Sequence, residues 1–183
     1  MKVLDLEDAL VDKLPEDLGH LFHLRYLSLK NINVMMLPKS IGKLRNLETL
    51  DLQQSLVHEI PVAIDELDKL RHLLAYYHDY KVDFSLAISI GVKIQGTVGC
   101  LKSLQMLLYM DKNDGGVDLI KELGKLRQLR YLGLINLTRE TRRALCGSIE
   151  KMNNPGFLDV SLISKEEIID SKTSRQELYI KDI

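Results

Sequence analysis

Asp111-Lys-Asn-Asp-Gly-Gly-Val-Asp-Leu-Ile-Lys-Glu122 carries oxygen donors at the spacing of a calcium loop: Asp at position 1, Asn at 3, Gly at 6 and Glu at 12. Position 8, usually apolar in such loops, is Asp118, and the preceding Leu104–Met110 alternates like a strand where that motif needs a helix. A Gly-Gly turn leaving a strand is the reading these residues favour. His20 and His23 stand three apart and share a face, but no third ligand follows at metal spacing, so they read as surface histidines flanking Leu21. Gly96-Thr-Val-Gly99 is too short for a phosphate loop and lacks its lysine. Cys146-Gly-Ser148 falls in a segment patterned as helix, not on the strand–turn elbow that presents a nucleophile. Lys121, Lys125, Arg127 and Arg130 alternate with Leu123, Leu126 and Leu129, the pattern of a solvated face over core leucines. No acid–base pair is left over, so neither enzymatic activity nor a cofactor or metal is expected.

The leucines carry the stronger pattern. Leu4, Leu27, Leu50 and Leu73 fall at 23-residue steps, as do Leu6, Leu29 and Leu52, and Leu24, Leu47 and Leu70. Pro15, Pro38 and Pro61 keep the same step, followed in register by Leu18, Ile41 and Ile64, then by Leu21, Leu44 and Leu67. One unit reads L-x-x-L-x-L-x-x-φ-x-φ-x-x-L-P-x-x-φ-x-x-L, where φ is apolar, and a fixed period of this length with L-x-x-L-x-L is the leucine-rich repeat signature. The L-x-L segment alternates like a strand with one buried face. Proline, having no N–H for a ladder, ends it. The apolar pair at three and six residues after the proline suits one or two helical turns. A single unit cannot bury its own stripe, but stacked units can.

The expected fold is therefore α/β: a leucine-rich solenoid, a horseshoe arc with a parallel concave sheet of about seven strands and short helical or irregular convex segments. Regular repeats cover residues 1–77, an insertion covers 78–100, and looser repeats cover 101–163. Leu104, Leu107 and Tyr109 are assigned to one strand and Leu129, Leu132 and Leu134 to the next, at steps of 34 and 25 residues, with a last strand at Phe157–Ser161. Residues 164–183 read as a degenerate repeat or a flexible tail. Met1 occupies the position of Leu24 and Leu47, so the chain starts inside a repeat, and a fragment, a truncated product or a piece of a longer receptor is expected.

Composition excludes several partners. Hydrophobic residues make up 45% and charged residues 28%, a globular balance, and the net charge of -1 argues for neither nucleic acid nor an anionic membrane. No apolar run is long enough to span a bilayer and no secretory signal is present. Cys100 and Cys146 form no paired motif, so two reduced thiols and a cytoplasmic setting are expected, with the Asn136-Leu-Thr138 sequon unglycosylated.

Several phrases carry a closer resemblance. Leu37-Pro-Lys-Ser-Ile-Gly-Lys-Leu44, Leu47-Glu-Thr-Leu-Asp-Leu52, His23-Leu-Arg-Tyr-Leu-Ser-Leu29, Gly99-Cys-Leu-Lys-Ser-Leu-Gln105, Leu119–Leu132 and Ala144–Met152 appear in order. Over roughly residues 1–170 the chain resembles the repeat region of plant intracellular NLR receptors, closest to the coiled-coil class of NB-LRR disease-resistance proteins. That resemblance implies a protein-interaction module in defence, sensing pathogen effectors or their host targets, or folding back on an NB-ARC domain to hold it inactive. The chain departs from the full family pattern in having no G-x-x-x-x-G-K-[ST] loop. A cytosolic repeat scaffold of the Ras-binding type is the alternative, although that class keeps its 23-residue step more evenly. Extracellular receptor repeats would show Asn at the ninth position, here Ala9, Ile32 and Ser55.

A partner of such a solenoid usually meets the concave strand face. The column between the inward residues runs Asp5, Ser28, Asp51, Leu74, Leu108, Gly133 and Asp159. The column after it runs Glu7, Lys30, Gln53, Tyr76, Met110 and Ile135, and the one before it contributes Tyr26, Thr49, His72 and Tyr131. With Tyr77, these supply the candidate partner surface: polar in the first three repeats, then apolar and aromatic at Leu74, Tyr76, Tyr77, Leu108, Met110 and Ile135. The insertion at 78–100 is placed to leave that apolar patch open or to cover it.

Overall fold

The computed structural model describes residues 1–79, 88–111, 116–135, 139–149, 158–163 and 176–180. Each L-x-L segment makes a short strand: β1 (Val3–Asp5), β2 (Tyr26–Ser28) and β3 (Thr49–Asp51), then β4 (Glu59–Ile60) on the return and β5 (His72–Leu74). The chain continues through β6 (Tyr76–Asp79), β7 (Ile88–Gly91), β8 (Lys93–Ile94) and β9 (Met106–Asp111). Helix α1 (Gly116–Leu123), β10 (Tyr131–Ile135), α2 (Arg139–Ile149), β11 (Leu158–Ile163) and β12 (Gln176–Ile180) follow. Among the described residues the main sheet runs β1-β2-β3-β5-β9-β10-β11-β12. Seven of its strands are parallel, as the repeats require, and an eighth, β12, joins β11 antiparallel within the 164–183 stretch.

Register follows the sequence step. Leu4 pairs with Leu27, Leu27 with Leu50, Leu50 with Leu73 and Leu73 with Leu107. Leu27, Leu50, Leu73 and Leu107 are all fully buried, forming one leucine column through the sheet. The later strands start after the leucines assigned to them: Leu104 and Leu129 lie just ahead of β9 and β10, and both are buried. The last parallel strand covers Leu158–Ile163, one residue later at its start than expected, and Phe157 lies outside the described residues.

The convex returns are tighter than an α-helix in the regular repeats. Pro15, Pro38 and Pro61 cap 3-10 turns at Glu16–His20, Lys39–Lys43 and Val62–Glu66, with φ of -72°, -66° and -68°. Proline's fixed φ and missing N–H suit that entry. Leu18, Ile41 and Ile64 each donate their N–H to the proline carbonyl three residues back, at 3.0 Å, and turn their side chains into the core. The 25-residue step from Leu107 to Leu132 leaves room for α1, and the 28-residue step from Leu132 to Val160 for α2, in place of these turns.

Neighbouring turns pack so closely that glycine is required at Gly19 and Gly42, one step apart. A Cβ on Gly42 would stand 2.7 Å from the Ala63 carbonyl oxygen, and one on Gly19 would stand 2.7 Å from Ser40 Cβ. Gly147, in α2, meets nothing within 4 Å. Gly42→Ala is expected to cost about 1–3 kcal/mol by overpacking, whereas Gly147→Ala should be stabilising by roughly 0.5–1 kcal/mol through helix propensity. Urea titrations of the two variants check the opposite signs.

Candidate functional site

The residue that ends each strand decides how the chain leaves the sheet. Asp5 Oδ1 accepts the Glu7 N–H at 3.1 Å, Ser28 Oγ the Lys30 N–H at 3.4 Å, and Asp51 Oδ1 the Gln53 N–H at 2.9 Å. Three residues after each of them the backbone turns left-handed, at Asp8 (φ 60°), Asn31 (φ 53°) and Gln54 (φ 57°). Asp and Asn tolerate that region better than most residues and, like Ser, bond locally to the backbone. The polar residues of this column thus stabilise the turn.

That geometry corrects part of the expected partner surface. Ser28 is 1% exposed and Asp51 7% exposed. Both are covered because their side chains fold back on their own turn between adjacent strands, so they offer a partner almost no surface. Burial pushes the Asp51 carboxyl up from its ordinary value, against the opposing effects of the Gln53 N–H and of Lys30.

The outer columns stay accessible. Tyr26, Lys30, Thr49, Gln53 and His72 are partly exposed and Tyr131 is exposed. Lys30 Nζ donates to Glu7 Oε1 at 2.6 Å, which raises its pKa, and Asn31 Nδ2 donates to Asp8 in the next rung. Thr49 Oγ1 lies 3.0 Å from His72 Nδ1 across the β3–β5 pair. Partial burial, and then the neighbouring Arg71 charge, lower the His72 pKa.

At the fourth repeat the turn fails. Leu74 stands where Asp5, Ser28 and Asp51 stand, so it offers no acceptor, and Tyr77 occupies the position of the left-handed Asp8, Asn31 and Gln54. The chain instead runs on as β6 and pairs antiparallel with β7, with Tyr76 opposite Gly91 and Asp79 opposite Ile88. Strand β7 comes against β9 and β10, and β8 rejoins the convex side by pairing with β4. Leu74, Tyr76 and Leu108 are half-buried beside this hairpin. Tyr77, Met110 and Ile135 are strand residues whose side chains lie outside the described ones. The signal for this hairpin was the loss of the acceptor at 74 together with the β-favouring Tyr76-Tyr77 pair.

The other chemistry-bearing motifs take structural places. Met106–Asp111 is a strand, so the calcium-like segment follows a strand, and Glu122 lies in α1 with Lys125 as its partner. Cys146 and Ser148 lie within α2, and Cys100 and Cys146 are both exposed free thiols. Among the described residues no helix is long and apolar enough to cross a membrane.

A parallel sheet with one leucine column per repeat, prolines capping the returns and an accessible strand face define a leucine-rich repeat solenoid. A family model described as a leucine-rich repeat region matches residues 1–181, and the chain belongs to that family. The chain is 44% identical over 170 residues to disease resistance protein RPM1 of Arabidopsis thaliana, a match covering 93% of this chain and 18% of RPM1. The resemblance to the repeat region of plant disease-resistance proteins is thereby borne out, for a chain spanning less than a fifth of that relative's length. Among solved structures, a leucine-rich repeat protein of Leptospira interrogans aligns at 20% identity and TM-score 0.42, over 87% of this chain and 48% of its own. The repeat ectodomain of the Arabidopsis receptor kinase SOBIR1 aligns at 19% identity and TM-score 0.43, over 88% of this chain and 67% of its own.

Two pH effects follow, of opposite sign. Asp51 has a raised folded pKa, so its contribution is present below the unfolded value near 4 and is lost as pH rises through the folded pKa. Asp51→Asn keeps an oxygen for the Gln53 N–H and should stabilise the fold at pH 7 by about 1 kcal/mol or less, an advantage that vanishes below about pH 4. His72 has a lowered folded pKa, so its contribution is full above the unfolded value near 6.5 and is lost as pH falls through the folded pKa. His72→Gln should flatten the stability profile just below about pH 6.5. Chemical denaturation across pH, with each variant read against the parent, measures both.

Proposed function

We propose that this solenoid is the protein-recognition module of a plant intracellular immune receptor. It acts in defence by binding a pathogen effector or its host target, and by holding a nucleotide-binding domain of the NB-ARC type inactive. The observation that carries this reading is the 44% identity with a disease resistance protein across 93% of the chain. The accessible columns around Tyr26, Lys30, Thr49, Gln53, His72 and Tyr131 supply a polar and aromatic face for it, and Tyr is favoured in protein interfaces. The apolar side chains at Leu74, Tyr76 and Leu108, beside the hairpin, extend that face. Two exposed, unbridged cysteines support a reducing cytoplasmic setting. The long fourth repeat with its hairpin favours a receptor over an evenly spaced scaffold.

The test is co-immunoprecipitation from leaf tissue, with the chain expressed beside candidate effectors and an NB-ARC domain from a coiled-coil receptor. Tyr26→Ala with His72→Ala and Tyr131→Ala should lower capture at least about tenfold while the thermal melt stays near the parent's. Capture that survives these changes but is lost with Lys39→Glu, on the convex side, would place recognition elsewhere and sink this reading.

A further inference from the structure

Strand β1 is the outermost strand on its side of the main sheet and pairs only with β2 among the described residues. Its ladder to β2 uses alternate residues: the Tyr26 N–H donates to the Lys2 carbonyl at 3.2 Å, and the Leu6 N–H to the Ser28 carbonyl at 3.0 Å. By the parity of a parallel ladder, Lys2, Leu4 and Leu6 direct their backbone groups to β2, and the N–H and C=O of Val3 and Asp5 point outward. Beyond Asp5 the strand ends, because Asp5 Oδ1 takes the Glu7 N–H and Asp8 turns left-handed. Beneath this edge lies uncovered apolar surface. Leu4, Leu6, Leu14 and Leu21 are half-buried, whereas their counterparts one repeat on are covered. Met1, Val3, Leu10 and Phe22, all in the first repeat, are more than half exposed. Elsewhere among the described residues only Met35, Met36 and Val62 are large apolar groups so exposed, so the apolar surface is concentrated at this end.

We propose that this edge takes a second copy of the chain, with β1 pairing antiparallel to β1 of the copy about a two-fold axis through Leu4. The outward groups are self-complementary about that axis. It sets Val3 opposite Asp5 of the copy, and Asp5 opposite its Val3, so each pair exchanges two hydrogen bonds as bonded pairs of an antiparallel ladder do. Leu4 then meets Leu4 of the copy as the closer, non-bonded pair between them, and the leucine column runs on across the axis. The contact that buries every later leucine, one repeat against the next, is thereby continued between copies. The same axis sets the corner where one copy leaves its strand, at Leu10, against the corner where the other enters, at Met1 and Phe22. A two-fold contact uses one patch twice, and a net charge of -1 leaves little repulsion between copies. An open strand edge above apolar side chains is the kind of surface that pairs with another strand. This contact lies at the end of the solenoid, leaves the concave columns free and does not depend on the function proposed above.

The experiment is sedimentation velocity of the full chain from about 1 μM to about 100 μM, with thermal melts to confirm folding. Val3→Pro removes an outward N–H and leaves the ladder to β2 intact. Leu10→Asp changes an exposed corner, and Met36→Asp is the control on an exposed residue of the second repeat. A dimer that weakens about tenfold or more in Val3→Pro and in Leu10→Asp, with Met36→Asp near the parent, supports the proposal. The register is read by disulfide trapping under mild oxidation, with Cys100→Ser and Cys146→Ser as the background. Leu4→Cys should bridge two copies, since a non-bonded antiparallel pair stands within disulfide reach, whereas Lys2→Cys, opposite Leu6 of the copy, should not. A monomer at every concentration overturns the proposal, as does a dimer indifferent to Val3→Pro and Leu10→Asp, or equal bridging through both cysteines. Binding of a peptide with the sequence of residues 24–46 by a chain that stays monomeric also overturns it, by assigning the edge to a further repeat.

Discussion

Each leucine of an L-x-L strand is buried by the neighbouring repeat and not by its own, and every other feature of the molecule answers to that requirement. Leu27, Leu50, Leu73 and Leu107 form the central column of the core because the strands pair with like residues opposite like. The first repeat shows what the neighbour contributes. Leu4, Leu6, Leu14 and Leu21 are only half-buried there, while their counterparts Leu27, Leu29, Leu37 and Leu44 are at most 6% exposed. A parallel stack in strict register also fixes what stands on either side of the column, so polar positions recur as lines running along the sheet.

The same stacking forces the convex side to be thin. Successive strands advance by about 4.8 Å, and the returns must pack at a comparable spacing. Proline-capped 3-10 turns with glycine at the contact meet that demand in the regular repeats. At the third turn Asp65 takes the place of glycine and accepts the Thr97 N–H with both carboxylate oxygens, at 2.8 and 2.9 Å. Gly96 leaves room for that contact, since a Cβ there would overlap the Asp65 carboxylate and push it from its place. One substitution in the periodic pattern thereby joins the third return to the one after the hairpin.

Polar residues on the strand face divide by what they hold. Those directly between the inward leucines serve the turn, and their oxygens go to the backbone before a partner can use them. Those one position further out bond across repeats, as Lys30 does with Glu7 and Thr49 with His72, and keep part of their surface open. At the fourth repeat an apolar residue in the turn-holding position releases the chain into a hairpin. The smooth concave face ends there, and a ridge of half-buried apolar groups begins.

The order of leucines and prolines by itself determined the solenoid, its parallel sheet and its register, because a 23-residue period admits only one way to bury so many leucines, while the kinship with plant disease-resistance repeats rested on the resemblance of particular phrases such as Leu37–Leu44. It also showed which columns flank the core. Only the tertiary structure decided which of those columns remain open. Ser28 and Asp51 look like surface residues in a period-two strand, yet they fold back onto a turn that no periodicity describes. Periodicity likewise left open where the extra residues of the fourth repeat would go, since strand pairing between Tyr76–Asp79 and Ile88–Gly91 joins positions far apart in sequence.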